Sequence, residues 1–290
     1  MKTAIVSDSN CGITKQEANM LGIHIVPMPV FIGEKAYYEG EDLTYPDFLR
    51  YLMEKERVTT SQPSPGDLMM IWDSLLEKEY EEIVYIPMSS GLSSSYQTAC
   101  MMAQDYEGKV FVVDAHRISI TQRHAVMDAV KLREQGFSAA DITKILEKNA
   151  LQSIAFVGVD DIFYLKRGGR ITPAAAALGS VLNIKPLLVI KGEKIDAYEK
   201  VRGTHKCQKE LLKIIKEKSE VFAKEKKKFR IGVAGSFFEE SDALSWLTRA
   251  KDIFPDDSLQ YETLTLSITC HTGPNAFGMG ISAYPEELHI

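Results

Sequence analysis

Apolar and polar residues fall along this chain in blocks whose period switches repeatedly, and the blocks predict strands alternating with helices. Thr3–Ser7 reads as a first strand, followed by the turn Asp8-Ser9-Asn10-Cys11-Gly12 and a short helix over Thr14–Leu21. Ile23–Ile32 predicts a second strand, although Pro27 and Pro29 fall inside it. Gly33–Gly40 reads as a hairpin excursion. Thr44 then opens a helix, with Asp47 at its third position. Ser64, Pro65 and Asp67 open another, whose inward face is Leu68, Ile71, Trp72 and Leu75. Ile83–Ile86 is a β-branched apolar run that Pro87 must end, because proline has no N–H for a ladder. A helix over Ser94–Gln104, a strand over Lys109–Asp114 and helices over Ile118–Gln135 and Ser138–Asn149 complete this half.

Such an alternation predicts an α/β domain over residues 1–152, with a Rossmann-like, mainly parallel sheet and helices on both faces. The pattern changes after Gln152-Ser153. Ile154–Val159 reads as a strand, Asp161–Lys166 as a short helix, and Arg167-Gly168-Gly169-Arg170-Ile171 as a glycine-rich basic turn. A small apolar helix follows over Ala174–Leu182, then a strand pair, Ile184–Ile190 and Lys194–Val201, turned at Gly192-Glu193. Gly203–Phe222 is an amphipathic helix, and the charge run Lys224–Lys228 behind it reads as a solvated face. Arg230–Ala234 predicts a strand and Glu239–Ala250 a helix, and Glu262–Ser267 and Gly278–Ala283 close the sheet. Residues 153–290 are thus expected to form an α+β domain with a mixed or antiparallel sheet, and a ligand site between the two domains.

Composition narrows the function. A net charge of -6 and a pI near 5.6 argue against a nucleic-acid partner. No apolar run approaches the ~20 residues of a membrane span, and the N-terminus leads straight into a strand with no secretion signal. Stable membrane insertion is therefore not expected, and a cytoplasmic location is. Cys11, Cys100, Cys207 and Cys270 form no CxxC pair, and the histidines show no ligand spacing, so no metal and no cofactor are expected. The first turn also lacks G-x-G-x-x-G, the dinucleotide fingerprint.

The chemistry-bearing stretch is Glu82–Ala99. Five serines in seven residues (Ser89, Ser90, Ser93, Ser94, Ser95) sit where a strand turns into a helix. Free N–H groups and the helix dipole favour an anion at such a place, and one serine suffices for a cap. Thr60, Ser61 and Gln62 are likewise surplus to the helix that follows them. His271 lies between the last two strands, among turn residues. Two chemistries compete for these groups. Gly91-Leu92-Ser93-Ser94-Ser95 approximates a G-x-S-x-G nucleophile elbow, with Asp160 or Asp161 and His271 downstream for an acyl ester hydrolase. Its last glycine is missing, and there is no HGGG-type oxyanion loop. Alternatively, Thr60, Ser93 and His271 serve as donors to a carboxylate whose apolar tail lies between the two halves.

Over nearly its whole length the chain resembles the DegV family of bacterial fatty-acid-binding proteins. The matching pieces are, in order, Asp8-Ser9, Tyr38-Glu39-Gly40, Thr60-Ser61-Gln62-Pro63, Ser90-Gly91-Leu92-Ser93, Leu165–Ile171, Ile184-Lys185-Pro186, Arg202 and His271-Thr272-Gly273. The resemblance implies a DegV-like two-domain α/β fold that holds a long-chain fatty acid such as palmitate, stearate or oleate. It implies a carboxylate bound by Thr60, Ser61, Ser93 and His271, and a carrier that is not itself an enzyme. A separate fatty acid kinase would phosphorylate the carboxylate with ATP, meeting the carrier at Arg170 and Arg202. The chain departs from the family pattern at Ser94-Ser95, Ala115-His116, Asn275 and Phe277.

Overall fold

A computed structural model describes residues 2–39, 41–78, 80–178, 184–255 and 259–289 of the chain. Strand β1 (Thr3–Asp8) is buried at every position, as its unbroken run predicts. Helix α1 (Lys15–Leu21) follows, capped by the Thr14 hydroxyl, which accepts from the Glu17 N–H. The single strand expected over Ile23–Ile32 is two. Strand β2 (Ile23–Val26) pairs with β1, whereas β3 (Pro29–Ile32) belongs to a different sheet. Pro27 and Pro29 cannot donate to a ladder, and the chain changes partner there. Strand β3 pairs with β4 (Lys35–Tyr38) across a turn at Gly33 and, after helix α2 (Tyr45–Met53), with β5 (Val58–Thr60). This three-stranded antiparallel sheet carries Thr60 at its end.

Helix α3 (Pro65–Lys78), β6 (Glu82–Ile86), α4 (Ser95–Ala103), β7 (Val110–Val112), α5 (Ile120–Glu134) and α6 (Ala139–Lys148) complete the first half. The four-stranded sheet runs β2-β1-β6-β7 and is parallel throughout. Trp72 of α3 packs on Tyr85 on one face, and α1, α5 and α6 cover the other.

In the second half, β8 (Ser153–Gly158) leads to short helices α7 (Phe163–Gly168) and α8 (Pro173–Ala176). The apolar helix expected over Ala174–Leu182 ends at Ala176 in α8, and residues 179–182 lie outside the described residues. Then come β9 (Ile184–Ile190), β10 (Asp196–Arg202), α9 (Thr204–Lys224), β11 (Phe229–Gly235), α10 (Glu240–Ile253), β12 (Tyr261–Thr263), α11 (Leu266–Thr272) and β13 (Phe277–Ala283). The sheet order is β10-β9-β8-β13-β11-β12, antiparallel except for the parallel pair β11 and β12. The expected strand Glu262–Ser267 is cut short because Leu266 begins a helix instead. These sheets make the chain an α/β protein, with a parallel main sheet and a small antiparallel one in its first half and a mixed sheet in its second.

Side chains alternate across this second sheet. Phe156, Leu187, Val189, Ile231, Val233 and Met279 face α9 and α10 in one core cluster. The opposite face, turned toward α5, carries Ala155, Val157, Gly232, Ala234, Gly278 and Gly280.

Helix α5 lies between the two sheets. Ala125, Val126, Ala129 and Val130 pack with Ile5, Val84 and Ile86 of the first sheet. Its other side meets the second sheet, where His124 Nδ1 lies 2.9 Å from Ser282 Oγ and Asp128 pairs with Arg230 at 2.5 Å. Arg230 also donates to the His124 carbonyl at 2.6 Å and stacks on Tyr284. Asp128 is fully buried and Arg230 largely so, and removing Asp128 leaves the guanidinium without its counter-charge. Asp128→Ala is expected to lower unfolding stability by about 3–5 kcal/mol. Asp128→Leu combined with Arg230→Met should recover most of that loss in a denaturant titration, whereas an equal deficit in the double variant would mean that the charge pair is not the cause.

Candidate functional site

At the carboxyl ends of β1 and β6 the chain leaves the sheet through polar turns, the usual place for ligand groups in an open α/β sheet. Asp8 closes β1. It accepts from Met88 N at 2.7 Å, Asn10 N at 3.0 Å and Gln122 Nε2 at 3.0 Å. Complete burial pushes its pKa up, against those donors. These bonds make Asp8 the clamp that fixes the loop after β6, where the serines lie.

The serines divide the work. Ser89 is fully buried, and its hydroxyl donates to the Gly192 carbonyl at the tip of the β9–β10 hairpin. Ser93 Oγ accepts from Ser95 N at 3.2 Å, while Ser94, at the N-cap position of α4, makes no side-chain cap bond. Ser95 Oγ is buried without a partner. Across from them, Gln62 Nε2 donates to Thr98 of α4 at 3.1 Å, which holds the Thr60–Gln62 segment beside the serine turn.

His271 is not in a loop between strands. It occupies the last turn of α11, and its Nε2 lies 2.8 Å from Thr60 Oγ1. Three devices orient this short helix. Leu266 N, at its start, donates to Glu39 Oε1 at 2.9 Å. The hydroxyls of Thr265 and Ser267 both donate to Asn10 Oδ1, the former at 3.3 Å. At its other end Gly273 has φ +76 and sits against the ring of Tyr164, where a Cβ would collide. Gly168 performs a similar service, since a methyl at that position would run into the His271 ring at Nδ1. Asn10, Glu39 and Gly168 are the positioning residues that sequence reasoning did not single out individually. The pieces Asp8-Ser9, Tyr38-Glu39-Gly40 and Leu165–Ile171 lie beside or around them, and that was their only trace.

Thr60, Ser61, Ser93, Arg170 and His271 all line one cavity of about 940 Å³ of empty space, part of it open to solvent. Most of its wall is apolar, supplied by Met28, Leu92, Ile118, Ile120, Val157 and Ile268 among others, and among the described residues no Asp or Glu lines it. Ser61 is exposed, its N–H donating to the Pro29 carbonyl at 3.3 Å. Arg170 is exposed, donates to the Gly168 carbonyl and stands at the cavity. Arg202 is the one candidate the cavity does not include; it is exposed at the end of the edge strand β10, next to Gly203.

Burial lowers the His271 pKa to about 4, and the positive charges of Arg170 and Arg167 push the same way. The imidazole is therefore neutral at pH 7. Nδ1 faces Gly168 and has no hydrogen-bond partner, so the tautomer with the proton on Nε2 leaves no donor unsatisfied. Nε2–H then donates to Thr60 Oγ1, and the Thr60 hydroxyl proton is free for another acceptor. Neither candidate acid of the nucleophile-elbow reading is paired with His271. Asp160 pairs with Lys185 at 2.8 Å, and Asp161 Oδ1 accepts from Phe163 N at 2.8 Å. Among the described residues no group of His, Cys, Asp and Glu is arranged to hold a metal ion, and no helix is long and apolar enough to cross a membrane.

The departures noted in the sequence have physical roles here. Asn275 has φ +59, a conformation glycine or asparagine accepts, and its Oδ1 receives the Phe238 N–H at 3.2 Å. Phe277 is buried against Trp246 and covers Gly158, on the side of the sheet away from the cavity. His116, with φ +51, has its Nδ1 3.4 Å from the Gly192 carbonyl.

The lowered histidine pKa has a consequence for stability. The unfolded chain keeps an ordinary value near 6.5, whereas the folded one sits at about 4. Between these values the unfolded state binds the extra proton, so this stabilisation is complete above pH 6.5 and is lost as pH falls toward 4. His271→Gln should flatten the acid side of the stability profile by up to one proton, about 1.4 kcal/mol per pH unit. An unchanged slope in urea titrations between these pH values would mean that His271 does not titrate this way.

Comparison with known proteins follows the same geometry. The family model described as "Uncharacterised protein, DegV family" matches residues 2–284. A DegV domain-containing protein of Listeria monocytogenes is 32% identical over 285 residues, covering 96% of this chain and 97% of the relative. Another, of Deinococcus radiodurans, is 31% identical over 286 residues, covering 97% and 98%. Among solved structures, a DegV family protein of Thermus thermophilus, reported for its fatty acid binding, superimposes with a TM-score of 0.86 at 28% identity, covering 98% of this chain and 100% of that one. A stearic acid-binding protein of Eubacterium ventriosum gives 0.88 at 25% identity, covering 99% and 100%. DegV of Bacillus subtilis, a fatty acid binding protein, gives 0.83 at 28%, covering 98% and 99%. With a family match that spans almost the whole chain and a fold shared from end to end, this chain belongs to the DegV family.

Proposed function

We propose that the cavity holds a long-chain fatty acid, such as palmitate, stearate or oleate, with its carboxylate at Thr60, Ser61, Ser93 and His271. The observation that carries this reading is an apolar cavity, with no Asp or Glu among the described residues of its lining, that has the Thr60–His271 pair and Ser93 in its wall. An acyl chain of about fifteen methylenes gains roughly 12 kcal/mol of gross transfer energy at ~0.8 kcal/mol each. Several kcal/mol are lost to immobilisation, which still leaves sub-micromolar binding without a strong ion pair. The head group needs donors, and the free proton of Thr60, the Ser93 hydroxyl and the Arg170 charge supply them. A bound carboxylate beside His271 would also raise the lowered imidazole pKa, since an opposite charge favours the protonated ring. Relatives reported to bind fatty acids, one of them stearic acid, support the same ligand class.

The protein acts in this reading as a carrier, not a hydrolase. Ser93 has no base positioned by an acid, because His271 Nδ1 is without a partner. The carrier presents the carboxylate to a separate fatty acid kinase, which forms the acyl phosphate from ATP. Arg170, at the cavity, bears on both the head group and the docking kinase, whereas Arg202, outside it, bears on docking alone.

Lipid extracted from the purified protein and identified by mass spectrometry tests the ligand: a long-chain fatty acid is expected, and a phospholipid or nothing would count against the reading. Ser93→Ala should weaken binding by about 1.5–3 kcal/mol, the value of a donor to a charged group. Stoichiometric labelling of Ser93 by a fluorophosphonate, with ester turnover, would favour the hydrolase instead. Arg202→Ala should retain bound fatty acid and melting temperature while kinase-dependent acyl phosphorylation falls at least about tenfold, with a milder loss at high salt. Equal loss of lipid from Arg202→Ala would move that residue to the ligand.

A further inference from the structure

The face of the six-stranded sheet that looks toward α5 is short of side chains, and the shortage comes in rows. Ala234 of β11 pairs in register with Gly278 of β13, and two residues further on Gly232 pairs with Gly280. Residues two apart on a strand share a face, so the two pairs form consecutive steps of one shallow trough. Ala155 of β8, the register partner of Gly280, adds a third small residue to the second step.

The two steps are covered differently. Ala234 and Gly278 line the cavity, and so does Ala155 at the edge of the second step. Gly232 and Gly280 do not; both are covered by the side chain of Ile120, the first residue of α5. A Cβ at Gly280 would stand 2.8 Å from Ile120 Cγ2 and 2.6 Å from Thr121 Cγ2, and one at Gly232 would collide with Ile120 outright. Ile120 is 6% exposed and itself lines the cavity. One isoleucine thus sits in the trough at the step where open space gives way to packed protein. Its backbone is held as well. Ser119 has φ +53, and the Thr121 hydroxyl donates to the Ile118 carbonyl at 2.8 Å.

We propose that Ile120 is the end wall of the acyl cavity and sets the longest fatty acid chain the protein accepts. The inference rests on the fatty acid reading above and adds a length limit to it. The trough runs one step past the cavity, beneath Ile120, before Arg230 and Ser282 close it, so shortening this side chain extends the cavity by that one step, in line with the ligand, rather than opening a new pocket. Pushing Ile120 back from the glycines does the reverse.

The test uses delipidated full-length protein and a series of saturated fatty acids of increasing length, with relative affinities measured by competition. Ile120→Ala should move the preferred length up by about two carbons, which raises affinity for the longer acid relative to the shorter by about tenfold at ~0.8 kcal/mol per methylene. Ile120→Val, which removes one methyl and leaves the fold least disturbed, should move it the same way by a smaller step. Gly280→Ala, whose methyl presses on both Thr121 and Ile120 and so crowds the start of α5 toward the cavity, should shift the preference to shorter chains. Opposite shifts in the Ile120 and Gly280 variants are the expected result. Unchanged length preference in variants that still bind fatty acid would overturn the assignment of Ile120 while leaving the fatty acid reading intact. Wild-type protein that takes up no member of the series would overturn that reading, and the length limit with it.

Discussion

Helix α5 is buried on both sides, and its polar side chains tie it to both sheets. Gln122 donates to Asp8 and lies within 3.2 Å of Ser7 Oγ, His124 meets Ser282, and Asp128 meets Arg230. Each unmade bond of this kind costs about 1–3 kcal/mol when the group stays buried. Apolar contacts alone would allow the sheets to slide over the helix in small steps. Directional bonds to both sheets do not, and the spacing between the sheets becomes a fixed length. The cavity occupies what that spacing leaves unfilled beyond the first turn of α5, over the small residues of the second sheet.

The electrostatics of the site follow from the same packing. A histidine on the surface would be partly protonated near neutral pH, whereas His271 is held neutral by burial between Gly168 and Thr60 with two arginines nearby. The site offers an anion neutral donors at close range and one guanidinium at its edge. Such an arrangement favours a carboxylate without the desolvation penalty of a fully buried ion pair.

Much of this was legible in the sequence, and the boundary of legibility is physical. The strands β1 and β6 announce themselves because burial on both faces leaves continuous apolar runs, and Thr14, Thr44 and Ser138 mark helix starts because a cap is a local interaction. Thr60 and Ser93 stood out as polar groups in excess of local need, and His271 by its setting among turn residues. The split of Ile23–Ile32 was signalled by its prolines but hidden by its apolar pattern. Helix α11 was hidden for another reason: its start is stabilised by Glu39 and Asn10, which are remote in sequence, and no serine or threonine cap bond marks it. Nor can a local pattern show that Gly168 makes room for an imidazole or that Gly232 and Gly280 make room for Ile120. These are tertiary contacts, written only as isolated glycines.

The pair formed by Thr60 and His271 joins residues 211 positions apart in the chain, and Arg170 reaches the same cavity from yet another segment. No fragment of the protein contains the binding wall. Occupancy is therefore linked to the folding equilibrium of the entire chain: anything held there, absent from the unfolded state, stabilises all of it by RT ln(1 + [L]/Kd). In the proposed reading the filled protein is the more heat-resistant form, and release of the fatty acid carries a thermodynamic penalty for every element from β1 to β13. A protein that binds a ligand this way would report its occupancy through its own resistance to unfolding and proteolysis, far from the cavity mouth as well as near it.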